Sequence, residues 1–139
     1  MLQHQAGLEI ATKGRGLYEI TREVAAVVKA AKIKIGLATI FCRHTSCSII
    51  VNENADPDVR HDLEAFMKRL VPDGDPHFVH ILEGPDDMAA HIKTALTASS
   101  LSIPIADGRL ALGTWQGIYL FEHRVAPHRR QAIVHVFGE

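Results

Sequence analysis

The sequence predicts an α+β fold with a mostly antiparallel sheet. Three observations carry this. Strand and helix patterns run in the order ββαββαβαββββ, which lacks the regular alternation of a doubly wound parallel sheet. The stretch from Ser102 onward reads as all β, with Asp107-Gly108 as a hairpin turn. Three separate stretches carry apolar residues at helical spacing.

The elements follow in order. Residues 3–20 read as a hairpin whose turn is Lys13-Gly14-Arg15-Gly16, because two glycines permit positive φ. Thr21 is placed to cap a helix running to Ala31, with Val24, Val27, Val28 and Ala31 as its apolar stripe. Leu37–Cys42 and Cys47–Val51 are β-rich, with His44-Thr45-Ser46 between them. Asp56-Pro57 opens a second helix, with Asp as N-cap and Pro in the first turn, and Val59, Leu63, Phe66 and Leu70 as its buried face. Pro72-Asp73-Gly74-Asp75-Pro76 ends it. His77–Leu82 is a short strand candidate. Gly84-Pro85-Asp86-Asp87 opens a third helix, with Met88, Ile92, Leu96 and Ser99 on one side and the two carboxylates suited to the helix dipole. The closing strands are Ile103–Ala106, Arg109–Leu112, Gly117–His123 and Gln131–Phe137.

The chain has 139 residues, 47% hydrophobic and 22% charged, with a formal net charge of −1. That length suits one domain, residues 1–139, able to bury a core without disulfides or a structural metal. A nearly neutral chain without a basic run argues against nucleic acid as the partner. It leaves room for a small phosphorylated metabolite, which needs only a local group of cations. No stretch reaches the roughly 18 apolar residues of a membrane helix, and the start lacks a signal-peptide pattern, so a cytoplasmic location is expected. The two cysteines, Cys42 and Cys47, read as reduced core residues.

Nine histidines direct attention to metal binding and proton transfer. His44 lies at a strand end beside Thr45 and Ser46, where the bland alternative is a capped strand end. His80, Glu83, Asp87, His91 and Lys93 form the most suggestive stretch. Asp87 and His91 are four apart on a helix and share a face. A divalent metal, zinc or magnesium, could be held by His44, His80 and His91, with Glu83, Asp62 or Asp87 orienting ligands or moving protons. The spacing matches no standard zinc signature. Arg124 and Arg130 flank a short loop and could bind phosphate as a pair; a solvated basic turn is the alternative. Trp115, the only tryptophan, could stack on a flat ring or cover the core.

Taken together, His44-Thr45-Ser46 with Asn52-Glu53-Asn54-Ala55-Asp56-Pro57, Glu83-Gly84-Pro85-Asp86-Asp87-Met88 with His91-Ile92-Lys93, and Leu112-Gly113-Thr114-Trp115-Gln116 with Glu122-His123-Arg124 resemble the YjbQ-like family. The resemblance covers nearly the whole chain. It implies a barrel-like sheet, a homotrimer and a thiamine-phosphate synthase activity, in a family largely of uncharacterised function. That reaction joins a pyrimidine methyl pyrophosphate to a thiazole phosphate and releases pyrophosphate. Under it, Lys93, Arg124, Arg130, Thr45 and Ser46 would contact phosphate, Trp115 would stack on the pyrimidine, and the trimer could share the pocket between subunits. Two positions depart from the family pattern: Asp87 stands where Asn is common, and Cys47 where a small residue such as Ala is common. Two other readings stand beside the synthase: a metal-dependent hydrolase of a small phosphorylated compound, with Glu83 activating water, and a non-catalytic trimeric binder of an anionic metabolite.

Overall fold

The computed structural model describes residues 1–139 and is α+β, with three helices and two antiparallel sheets. The strands are β1 (Leu2–Thr12), β2 (Gly16–Glu19), β3 (Gly36–Cys42), β4 (Cys47–Glu53), β5 (Ser100–Ala106), β6 (Arg109–Leu110), β7 (Gln116–Glu122) and β8 (His128–Gly138). The helices are α1 (Thr21–Ala31), α2 (Pro57–Leu70) and α3 (Asp87–Leu96). The larger sheet runs β1-β8-β3-β5-β6 and the smaller one β2-β7-β4.

One core joins the two sheets and α1. Ala38, Ile40, Val134 and Val136 from the larger sheet meet Ile49, Ile118 and Leu120 from the smaller one, with Val24, Val27 and Val28 of α1. Alternation along β7 sends Tyr119 and Phe121 to the opposite face of the smaller sheet, yet both are buried. That face lies beneath α2 and α3: Arg60 of α2 stacks over the Tyr119 ring, and Thr97 at the end of α3 donates to Ser48 of β4. β7 is therefore covered on both faces, which is why Gly117–Phe121 reads as an apolar run with little alternation.

Several local expectations meet a different arrangement. β1 and β2 do not pair with each other. β1 pairs with β8 in one sheet and β2 with β7 in the other, so Lys13–Arg15 is a crossing between sheets. Gly14 is needed there: its φ is +138°, and a Cβ would lie 2.8 Å from the Val125 carbonyl oxygen. Thr21 begins α1 without capping it. Its hydroxyl donates to Glu19 (2.8 Å) and accepts from the Ile118 amide (2.9 Å). Asp56 does cap α2, accepting from Asp58 N at 2.9 Å. His77–Leu82 is not a strand but part of a long loop, in which Val79 and Leu82 are almost fully exposed.

The two outer helices turn different faces inward from those expected. On α2 only Met67 is buried, while Phe66 and Leu70 are exposed. On α3 the buried residues are Asp87, Ala89, Ala90 and Lys93, and Leu96 faces out. Small alanines let α3 lie close to β4, and close approach outweighs the burial of larger apolar side chains here. No helix is long and apolar enough to cross a membrane.

Candidate functional site

The N-terminus of α3, the loop before it and the end of β7 meet at one place. Asp86 and Asp87 open α3, where the helix dipole favours carboxylates. Arg124, just past the end of β7, binds both. Its Nε donates to Asp86 Oδ2 (2.9 Å), its Nη1 to Asp87 Oδ1 (2.7 Å) and its Nη2 to the Glu83 carbonyl (3.0 Å). Asp86 Oδ2 also accepts from the Val125 amide at 2.9 Å. Burial alone would raise the Asp86 carboxyl, but these donors outweigh it and hold it below its ordinary value.

Asp87 is 2% exposed and turns its other oxygen, Oδ2, to two imidazoles. His80 Nε2 lies 2.8 Å from it and His91 Nε2 2.9 Å. The Glu83 carboxylate is 3.8 Å from His80 Nε2 and largely exposed. The ligand atoms of His80, Glu83, Asp87 and His91 all lie within 4.8 Å of one another. Burial would raise the Asp87 carboxyl too; the hydrogen bond from His80 and the charges of His91 and Arg124 keep it below the ordinary range.

The hydrogen bonding of His91 tests whether this group fits a cation. The Thr45 carbonyl carries no proton, so His91 Nδ1 must donate to it, at 2.8 Å. A neutral ring then offers only a lone pair at Nε2, facing an oxygen that is also an acceptor. The pair needs a positive charge between them, either a proton on the ring or a metal ion. An imidazole fixed through its other nitrogen to a backbone carbonyl is the usual setting of a metal-ligating histidine. Two imidazoles and two carboxylates fit a divalent ion, and zinc better than magnesium, which favours all-oxygen shells. A cleft of about 440 Å³ adjoins the group, lined by Gly74, Asp75, Phe78, His80 and Pro85 among others.

His44 does not join this group. Its Nε2 accepts from the Gln131 amide at 2.8 Å, tying the loop between β3 and β4 to β8. Burial, followed by the Arg130 charge, draws its pKa below the ordinary value, which suits a neutral acceptor. Asp62 is an exposed residue of α2 whose side chain meets only the neighbouring His61. Arg130 is spent inside the protein. It donates to Glu122 Oε1 (2.8 Å), Glu122 Oε2 (2.6 Å) and Ser46 Oγ (2.9 Å), with its side chain 5% exposed. Ser46 is thus also a buried partner rather than an open ligand. Lys93 is buried on α3, and burial lowers its pKa. Thr45 is exposed at the rim. Trp115 is 63% exposed and precedes β7, whereas Arg124 follows it. The seven residues of β7 lie between them and span roughly 23 Å at about 3.3 Å per residue. It neighbours a different polar group, in which Asn54 Nδ2 reaches Glu19 Oε2 and the Gln116 carbonyl.

Sequence reasoning missed three parts. Asp86 and Glu122 hold the two arginines, and the signal available was only their charge. The Thr45 carbonyl acts through its backbone, so no side-chain pattern marks it.

The fold and the site together define an α+β domain with a group of two histidines and two carboxylates whose ligand atoms are close enough to hold a metal ion. The comparisons give its family. The model of the UPF0047 protein YjbQ-like family matches residues 6–139, and the chain belongs to that family. A UPF0047 protein of Synechocystis is 54% identical over 137 residues, covering 99% of this chain and 93% of that protein. Among solved structures, an uncharacterised conserved protein of the same family from Clostridium acetobutylicum aligns with a TM-score of 0.88 at 36% identity, covering 95% of this chain and 99% of that one. A hypothetical protein from Aeropyrum pernix aligns at 0.90 with 28% identity, covering 98% and 99%.

Proposed function

We propose that the protein is a divalent-metal-dependent hydrolase of a small phosphorylated compound, with the metal held by His80, Asp87 and His91 and flanked by Glu83. The observation that carries this reading is the convergence of His80 Nε2, His91 Nε2 and Asp87 Oδ2, whose geometry accepts either a proton on His91 or a metal ion between His91 and Asp87. A bound divalent ion would supply Lewis-acid stabilisation of charge on a phosphoryl oxygen. The chain's own residues do the rest. Arg124 fixes Asp87 through Oδ1 and leaves Oδ2 to face the site. The Thr45 carbonyl fixes the His91 ring. Glu83, exposed beside His80, takes a proton from the attacking water. The cleft next to His80 receives the substrate.

A thiamine-phosphate synthase is the second proposed function. One observation favours it: Trp115 presents an open indole able to stack on a pyrimidine. Within one chain the ring is too far from His80 and His91, so this reading needs Trp115 from a neighbouring subunit. A homotrimer and a cytoplasmic location are parts of the same proposal. The outward row of Phe41, Leu37 and Phe137 on the larger sheet supports assembly.

The test is release of inorganic phosphate from aryl phosphate esters by protein loaded with zinc or manganese. Turnover that disappears with a chelator and in Glu83→Gln supports the hydrolase. Formation of thiamine phosphate with release of pyrophosphate, and no ester hydrolysis, would replace it with the synthase. Ligand binding without either turnover would make the protein a binder.

A further inference from the structure

Cys42 ends β3 and Cys47 begins β4, and the four residues between them fold back so that the two sulfurs lie 3.3 Å apart. Neither thiol belongs to the proposed metal centre. A disulfide needs a separation of about 2.05 Å, so the two sulfurs must close by roughly 1.3 Å. Both side chains lie in the core, Cys47 0% and Cys42 2% exposed, and Cys42 sits beside a cleft formed with Phe41, Arg43, His44, Thr45 and Ser99. A peroxide that enters this cleft approaches the pair from the Cys42 side.

The loop closed by these cysteines holds the backbone group on which His91 depends. Thr45, two residues before Cys47, presents the carbonyl that accepts from His91 Nδ1. Cys47 also touches α3 directly, its own carbonyl accepting from Thr94 at 3.5 Å. Movement of the Cys42–Cys47 loop is thus passed to the ring of His91 through one hydrogen bond.

We propose that Cys42 and Cys47 form a reversible intramolecular disulfide under a peroxide, and that this bond loosens the metal centre by shifting the Thr45 carbonyl. The metal part of the proposal rests on the centre described above. In the first step the Cys42 sulfur attacks one oxygen of hydrogen peroxide, the O–O bond breaks, and the departing hydroxide takes the thiol proton and leaves as water. Cys42 becomes a sulfenic acid. In the second step the Cys47 sulfur attacks the Cys42 sulfur, the S–O bond breaks, and a second water leaves with the Cys47 proton. The two sulfurs together lose two electrons, and the peroxide is reduced to two waters.

The order of attack follows from the environment of each sulfur. The Cys42 thiol is drawn down to about 7, first by a hydrogen bond from Cys47, against the opposing effect of burial, and then by the His44 amide and the Arg130 charge. The Cys47 thiol is pushed up by the same contact and by burial. Cys42 is thus the attacking sulfur and Cys47 the resolving one.

The experiment treats the full-length reduced protein with hydrogen peroxide and reads three quantities. Free thiols should fall from two to none, the monomer should lose the mass of two hydrogens, and dithiothreitol should restore both. Zinc affinity, measured by competition with a chromogenic chelator, should fall roughly 10-fold or more on oxidation, as for other losses of a partner that orients a metal ligand. The Cys42→Ala, Cys47→Ala double variant should bind zinc equally with and without peroxide, which separates the switch from oxidation of other residues. Thiols that survive treatment, bridges only between chains, or a disulfide that leaves zinc affinity unchanged would overturn the proposal. Failure of the reduced protein to bind zinc would remove the metal centre itself, and the switch with it.

Discussion

Arg130→Ala separates a structural arginine from a phosphate-binding one. Arg130 and Glu122 form a buried pair, with side chains 5% and 0% exposed. Glu122 also accepts from Thr12 Oγ1 (2.7 Å) and the Arg124 amide (3.2 Å), but the arginine is its only cationic partner. Removing one member of such a pair leaves an uncompensated buried charge, a cost of about 3–5 kcal/mol. For a domain of this size that is a fall in Tm on the order of 10–20 °C. Differential scanning calorimetry on protein freed of metal reads it directly. The combined variant Arg130→Met, Glu122→Leu should recover much of the loss, because no charge then remains buried. The pH dependence has a defined sign. Burial would raise the Glu122 carboxyl, but hydrogen bonds from Arg130 and Thr12 hold it below its ordinary value of 4.5. The unfolded chain therefore binds this proton first as pH falls. The stabilisation is fully present above 4.5 and is lost as pH drops through the lower folded value. A Tm unchanged by Arg130→Ala, together with lost ligand affinity, would refute the structural assignment and restore Arg130 to the phosphate site.

Two further outcomes follow. Arg124→Met should weaken zinc binding by about 10- to 100-fold, because Asp87 loses the partner that aims its second oxygen; unchanged zinc affinity would show that Asp87 is held without it. His123 is buried with Nδ1 unpartnered, and burial, then the Lys93 charge, lowers it from 6.5 to about 3. The unfolded chain takes up this proton below 6.5 and the folded chain does not until about 3, so the group costs stability across that window as pH falls. His123→Gln should flatten the decline in urea-unfolding free energy between neutrality and about pH 5, in metal-free protein; an equal slope in both proteins would count against a neutral buried ring.

What could be read from the sequence divides by range. The Asp107-Gly108 turn, the Asp56 cap and the span of α1 depend on neighbours within a few residues, and the structure has them where local chemistry puts them. The pairing of β1 with β8 joins residues more than 110 apart, and nothing in residues 3–20 distinguishes it from a local hairpin. The sharing of a face by Asp87 and His91 follows from i, i+4 spacing and was legible. The position of His44 was not: an imidazole that accepts from a backbone amide looks the same in sequence as one that binds a metal. Charge alone likewise hid the fates of Arg124 and Arg130. Both are arginines near a loop, but the carboxylates that neutralise them come from different elements, Asp86 and Asp87 on α3 and Glu122 on β7.

The places where apolar residues face outward share a cause that bears on assembly. On the larger sheet, register sets Phe41 opposite Ile133 and Leu37 opposite Phe137, all on the face turned away from the core. Phe41 and Phe137 remain 49% and 39% exposed. A sheet face bounded by water ordinarily alternates to polar residues. Retaining a phenylalanine at each end of this row costs solubility unless another surface covers it. The proposed trimer would cover these two apolar ends, between which Thr39 pairs with His135 on the same face. Light scattering should give three times the chain mass of 15.3 kDa. Phe41→Asp should shift the protein to monomer while circular dichroism stays unchanged, because the substituted side chain lies outside the core. A monomeric parent protein, or a Phe41→Asp variant that still forms trimers, would place the subunit contact elsewhere. Zinc binding retained by that monomer would show that His80, Asp87 and His91 suffice within one chain; turnover lost from it would show that Trp115 or another group must come from a neighbour.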